Sequence, residues 1–169
     1  MITATYIDHM GTDLSVVNAA RVSFGKKREA LGTVSVDGHT RQALHYSDTK
    51  LIKYLAKHRH MSPFGHCFAS FHIKAPVFVA RQLVKHKFLR WNEISRRYVS
   101  DKPEFYSPKV WRGKSTDKKQ GSDGVVDVGD WGDTNWACLT AYNDLLEHGV
   151  APEQARMVLP QSTMTEWYW

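Results

Sequence analysis

The chain has 169 residues, of which 42% are hydrophobic, 24% charged and 12% aromatic, the composition of one globular domain with a core of its own. This excludes a disordered tail, a collagen-like repeat and a low-complexity spacer. Two cysteines, Cys67 and Cys138, are too few for a disulfide framework and read as free thiols. No apolar run approaches the roughly 20 residues of a membrane helix. The N-terminus also lacks the cationic-then-apolar order of a signal peptide, so a cytoplasmic protein without membrane contact is expected.

Lysines and arginines outnumber acids 23 to 17, for a net charge of +6. Between positions 81 and 97 stand Arg81, Lys85, Lys87, Arg90, Arg96 and Arg97, against Glu93 alone. Nearly the whole excess therefore sits in one segment. A local basic patch implies a specific anionic partner: a phosphate, a nucleotide or a nucleic acid.

In chain order, Thr3–His9 reads as a strand. Gly11 and Thr12 make a turn, and Asp13 can cap a helix carrying Leu14, Val17, Ala20 and Arg21. Residues 24–39 are rich in glycine and charge without periodicity and read as loops. Leu44, Leu51, Ile52, Leu55 and Ala56 recur at helical spacing, and that helix stops near His58. Ser62 to Gly65 is a turn, and Cys67–Ala75 alternates as a strand. Pro76 suits the first position of a helix running to about Lys87, mostly buried, with Arg81, Gln82, Lys85 and His86 on one polar stripe. Residues 112–130 read as a polar loop. Thr134 can cap a helix that closes at Gly149, with Trp136 and the nearby Trp131 expected in the core. Pro152 opens a short helix that Pro160 ends, and Met164–Trp169 is a strand or the start of a helix. An apolar, aromatic last residue points to a chain that ends inside its fold.

The chemistry concentrates in residues 82–98. Lys85 and Lys87 at a helix C-terminus have a structural explanation in the helix dipole. That explanation does not extend to Arg90, Arg96 and Arg97, which lie beyond the helix and repel one another unless an anion sits between them. Ser95 with its neighbouring backbone N–H groups and the planar fork of Arg97 would make a phosphate clamp. Asn92 and Glu93 can read the polar edges of a base or ribose.

The segment Lys85-His86-Lys87, Phe88 to Ile94, Ser95 resembles the signature of flavin-dependent (ThyX-type) thymidylate synthases, Arg-His-Arg, seven residues, then Ser. The middle His, the Asn-Glu before the Ser and the Arg-Tyr after it stand where the family has them. Asp13–Ser23, Ser62–His66 leading into Phe71–Pro76, and Glu153–Pro160 also look like the family, in collinear order. The resemblance implies a single α/β (α+β) domain over 1–169, with a small sheet packed against helices and assembled as a homotetramer.

It further implies conversion of dUMP to dTMP, with methylenetetrahydrofolate as carbon donor and FAD, reduced by NADPH, as reductant. No cysteine nucleophile is used. By the same resemblance, Ser62, Lys85, His86, Lys87, Asn92 and Glu93 contact FAD, and Gln82, Lys85, Glu93, Ser95, Arg96, Arg97 and Arg156 hold dUMP. Lysine stands at 85 and 87 where the family has arginine, which keeps the charge but loses the bidentate fork. The family's catalytic arginine falls beyond Trp169, so no catalytic residue is assigned within 1–169.

Two alternatives come from other classes. A nucleic-acid-binding module would use the same patch with Phe88, Trp91 and Tyr98 as stacking platforms. Its compactness, and the near neutrality of the rest of the chain, argue against a groove that tracks a phosphate backbone. A catalytically inactive fragment is the other. His58, His60, His66 and His72 with Cys67 match no standard zinc spacing, so no metal is expected. A salt bridge is one reading of Arg21 in the first helix, and nothing in the sequence decides it.

Overall fold

The computed structural model describes residues 1–36, 38–99, 101–117, 121–129 and 133–169, and of Asp133 only the backbone. Its elements are β1 (Thr3–Met10), α1 (Asp13–Arg21), β2 (Thr33–Val36), β3 (His39–Gln42), α2 (Tyr46–Lys57), β4 (Phe68–Pro76), α3 (Val77–Leu83), β5 (Asn92–Glu93), β6 (Trp111–Lys114), β7 (Ser122–Val126), α4 (Asp133–Glu147), α5 (Pro152–Ala155) and β8 (Met164–Tyr168). Single 3₁₀ turns cover Val22–Phe24, Ser62–His66 and Arg156–Val158. The fold is mixed α/β with small sheets, as expected. It divides into two compact units, one of residues 1–5 with 72–169, the other of residues 6–71.

A four-stranded sheet has the order β1-β4-β8-β5, and its pairings of β4 with β8 over residues 72–76 and of β8 with β5 lie in the larger unit. The strand ending at Tyr168 settles the open reading of the last six residues. It pairs antiparallel with β4, placing Ile73 opposite Trp167, Ala75 opposite Thr165 and Lys74 opposite Glu166. Successive side chains alternate faces, and the register makes the two faces different. Ile73, Ala75, Thr165 and Trp167 are buried. On the other face Lys74 Nζ bonds Glu104 at 2.8 Å and approaches Glu166 at 3.4 Å, and His72 Nε2 lies 3.1 Å from Glu166. The hydrogen bond from Lys74 holds the Glu104 carboxyl below its ordinary range, and the same bond raises the Lys74 ammonium. Helix α4 begins one residue before its expected cap. It ends as its sequence indicates, with Gly149 in the left-handed region and Val150 N–H on Leu145 O at 2.9 Å, a glycine C-cap.

In the smaller unit α1 is capped by Thr12 rather than Asp13, whose place in the first turn still suits the positive end of the helix dipole. Ser15 Oγ accepts the Thr12 N–H at 3.0 Å. Gly11 (φ +83) is required twice over, since a Cβ there would also lie 2.6 Å from the His66 carbonyl oxygen. Between α1 and α2, Arg21 Nη2 bonds Asp48 Oδ1 at 2.5 Å, and Arg28 Nε lies 3.1 Å from Oδ2 as an ion pair without hydrogen-bond alignment. The salt-bridge reading of Arg21 holds.

Four expectations need correction. Residues 24–39 are not all loop, because β2 and β3 form a hairpin joined by two residues, with Gly38 at φ +76. The Asp-Gly pair between Thr33–Val36 and a polar run is a hairpin signal with weak alternation. Residues 112–130 likewise contain most of the β6–β7 hairpin, with a bulge between Arg112 and Gly113. The helix expected to reach Lys87 ends at Leu83. Val84 N–H still bonds Ala80 O, but His86 N–H then turns back to Leu83 O. That segment is largely exposed, Phe88 wholly so at 99%. Finally, Trp136 is 69% exposed and not in the core; Trp131 lies outside the described residues.

Candidate functional site

In the larger unit, α3, the stretch 93–97, the turn around Arg156 and the start of β8 enclose a cleft of about 840 Å³. Four arginines line it, Arg81, Arg96, Arg97 and Arg156, with Glu93 and Glu153 as its acids. Among the described residues none of the four is in an ion pair. Cations that outnumber the acids four to two around a concavity raise the local potential and favour an anionic guest.

The stretch 93–97 is held by β5. Two residues long, β5 sets Asn92 opposite Tyr168 and Glu93 opposite Trp167 on β8, and Ile94 N–H extends the ladder to Glu166 O at 2.9 Å. Trp91 stacks on the buried Trp167 with ring centroids 4.5 Å apart, which anchors the entry to this short strand. Past it, Ser95 Oγ accepts from both the backbone N–H of Arg97 (3.3 Å) and its Nε (3.2 Å). This leaves the two terminal guanidinium nitrogens of Arg97 without a protein acceptor among the described residues. The guanidinium carbon lies 5.1 Å from the Tyr98 ring centroid. Arg96 Nη1 is used structurally, on the Asp101 carbonyl. Arg156 donates Nε to Glu153 O at 3.3 Å, so its remaining donors are also free for a ligand.

Glu93 is the best-anchored polar group in the cleft. Thr165 Oγ1 donates to its Oε1 at 2.6 Å, and Trp91 Nε1 donates to its Oε2 at 3.1 Å. The cleft therefore pairs an oriented acceptor with a group of cations. This suits a ligand with an anionic end and a polar donor edge, such as a nucleotide.

Of the residues singled out from the sequence, the cleft brings together Glu93, Ser95, Arg96, Arg97 and Arg156. Gln82 and Lys85 do not line it. They bond each other on the exposed end of α3, Lys85 Nζ to Gln82 Oε1 at 3.2 Å. His86 and Lys87 follow in the exposed turn, and Asn92 is exposed on β5. Ser62 begins the 3₁₀ turn of the smaller unit. Arg81 was counted in the basic patch but not assigned a ligand. It lines the cleft where Gln82 does not, because adjacent helical residues point about 100° apart. Thr165 and Gln161 also line the cleft, and nothing local in the sequence marks either.

The exposed cations at 85 and 87, without acidic partners among the described residues, fit the diphosphate of a flavin nucleotide in charge. As lysines they would act as point charges rather than forks.

The family model for the thymidylate synthase complementing protein matches residues 5–169. The chain belongs to this family. It is 42% identical over 167 residues to a flavin-dependent thymidylate synthase of Thermus thermophilus, covering 96% of this chain and 57% of the relative. A flavin-dependent thymidylate synthase of Treponema denticola is 40% identical over 173 residues, with 96% and 60% covered. The chain thus spans somewhat over half the length of these relatives. Among solved structures, a UMP/dUMP methylase, PolB from Streptomyces cacaoi, bound with 5-Br dUMP, superposes with a TM-score of 0.79 at 33% identity. That match covers 99% of this chain and 72% of PolB. Membership in the thymidylate synthase complementing family agrees with the collinear motifs and with the mixed α/β fold. No helix among the described residues is long and apolar enough to cross a membrane.

Proposed function

We propose that this chain carries the nucleotide-binding part of a flavin-dependent thymidylate synthase, which converts dUMP to dTMP. The observation that carries the reading is the cleft of four arginines, none in an ion pair among the described residues, together with one doubly anchored glutamate, in a chain whose structural neighbour was solved with a dUMP analogue. In this reading Arg97 and Arg156, with Ser95, take the phosphate, Arg81 and Arg96 supplement the positive potential, and Glu93 accepts from the base or ribose. Gln82 and Lys85, which the family resemblance also assigns to dUMP, lie outside this cleft and bond each other.

Ser62, Lys85, His86, Lys87 and Asn92 are proposed FAD contacts, with Glu93 shared between the two ligands. The flavin, reduced by NADPH, supplies the reducing equivalents, and methylenetetrahydrofolate supplies the carbon. The residues of this chain bind, orient and balance charge. In this reading, by the family resemblance, several copies assemble as a homotetramer.

The test is flavin retention. The chain is saturated with FAD, freed of excess, and its bound flavin spectrum read with and without dUMP. Bound flavin with a spectrum that shifts on adding dUMP is expected. A folded chain that retains no flavin and binds no dUMP would overturn the reading. Lys85→Arg and Lys87→Arg are expected to bind FAD as tightly as the parent or more tightly, because a fork is regained at constant charge. Fluorescence titration measures this, and a large loss would show that the lysines serve another geometry.

A further inference from the structure

Glu93 sits in a cleft with four arginines yet pairs with none of them. Its two carboxylate oxygens are taken instead by neutral donors on two separate segments, the Thr165 hydroxyl on β8 and the Trp91 indole before β5. Both bonds fix the carboxylate without neutralising its charge, and a charged acceptor makes the stronger hydrogen bonds to a ligand.

The β5–β8 register brings the first of these donors to Glu93. Glu93 is directly opposite Trp167, so Thr165, two residues away on the same face of β8, is its diagonal neighbour within side-chain reach. Thr165 is itself buried, which fixes its hydroxyl. Trp91 is fixed by its stack on Trp167. Each carboxylate oxygen accepts one bond and retains capacity for another, so Glu93 can bind a ligand without leaving its donors.

We propose that Thr165 and Trp91 are positioning residues that hold the Glu93 carboxylate toward the nucleotide. Their action passes through Glu93, and it rests on the nucleotide reading of the cleft.

The experiment is a calorimetric dUMP titration of the parent chain and its variants, each checked for an unchanged melting profile. Thr165→Val, which keeps shape and removes the hydroxyl, should weaken dUMP about ten-fold, the scale of one hydrogen bond to a charged group. Thr165→Ser should restore most of the affinity. Trp91→Phe, which keeps the stack and removes the N–H, should weaken binding by about three- to ten-fold. Glu93→Ala should weaken it more than either.

The deciding measurement is Thr165→Val in the Glu93→Ala background, where it should cost nothing further, since a residue acting only through Glu93 is silent once Glu93 is gone. If the two losses multiply, Thr165 acts independently and the proposal is overturned. Unchanged affinity in Thr165→Val overturns it as well, while leaving the nucleotide reading intact. A parent chain that binds no dUMP overturns both.

Discussion

Arg97→Ala is expected to lower dUMP affinity by at least about 100-fold while leaving the fold intact. Arg97 is exposed, and among the described residues its one protein partner by hydrogen bond is Ser95, through Nε and the backbone. The backbone bond survives truncation. Removing an exposed side chain outside the core usually changes stability by about 0.5 kcal/mol or less. The loss falls instead on the phosphate, where each charge-assisted bond is worth about 1.5–3 kcal/mol and every 1.4 kcal/mol is tenfold. Arg97→Lys should recover part of the affinity, since it keeps the charge and loses the fork. Calorimetry with dUMP and with deoxyuridine checks the assignment. The nucleoside has no phosphate, so its binding should not distinguish the parent from the variant. Unchanged dUMP affinity in Arg97→Ala would remove Arg97 from the phosphate site.

The second large effect is on stability. Asp48 is completely buried at the N-terminal end of α2, between Arg21 and Arg28, whose side chains are 22% and 34% exposed. Asp48→Ala removes the counterion of two arginines and leaves a cavity between α1 and α2. Breaking a buried pair from one side typically costs about 3–5 kcal/mol, because the surviving charge keeps its desolvation penalty. That is a large share of the roughly 5–15 kcal/mol that holds a domain together. In a chain of this length it corresponds to a fall of about 10 °C in Tm, readable by circular dichroism. Asp48→Asn, which keeps the volume and one acceptor, should lose less. An unchanged Tm in Asp48→Ala would show that the two arginines are held by solvent.

The two effects separate cleanly by unit. Asp48 and its arginines belong to residues 6–71, and the arginine cleft belongs to the unit that contains residues 72–169. Nucleotide affinity in folded Asp48→Ala protein and stability in Arg97→Ala protein should therefore both stay near the parent values, since sites with no shared partners are close to additive.

What the sequence determined by itself was whatever depends on neighbours along the chain. The alternation of Cys67–Ala75, the helical recurrence of Leu51, Leu55 and Ala56, the glycine stop at Gly149 and the cluster of cations from 81 to 97 are all local patterns, and the structure contains each of them. The collinear motifs placed the chain in its family for the same reason. The hairpins β2–β3 and β6–β7 were not legible, because their strands are only four or five residues long and mostly exposed, too short for a face to show in the sequence. Nor was the early end of α3, where the residues after Leu83 find no core to pack against. Only the tertiary structure decided which cations share a cleft, choosing Arg81 over its neighbour Gln82 and adding Arg156 from some 60 residues away. It also decided what holds Glu93. Thr165 is 72 residues distant in sequence, and it meets Glu93 only because antiparallel pairing with β8 puts the two on one face. Strand register arises from pairing between distant segments, and no spacing within either segment encodes it.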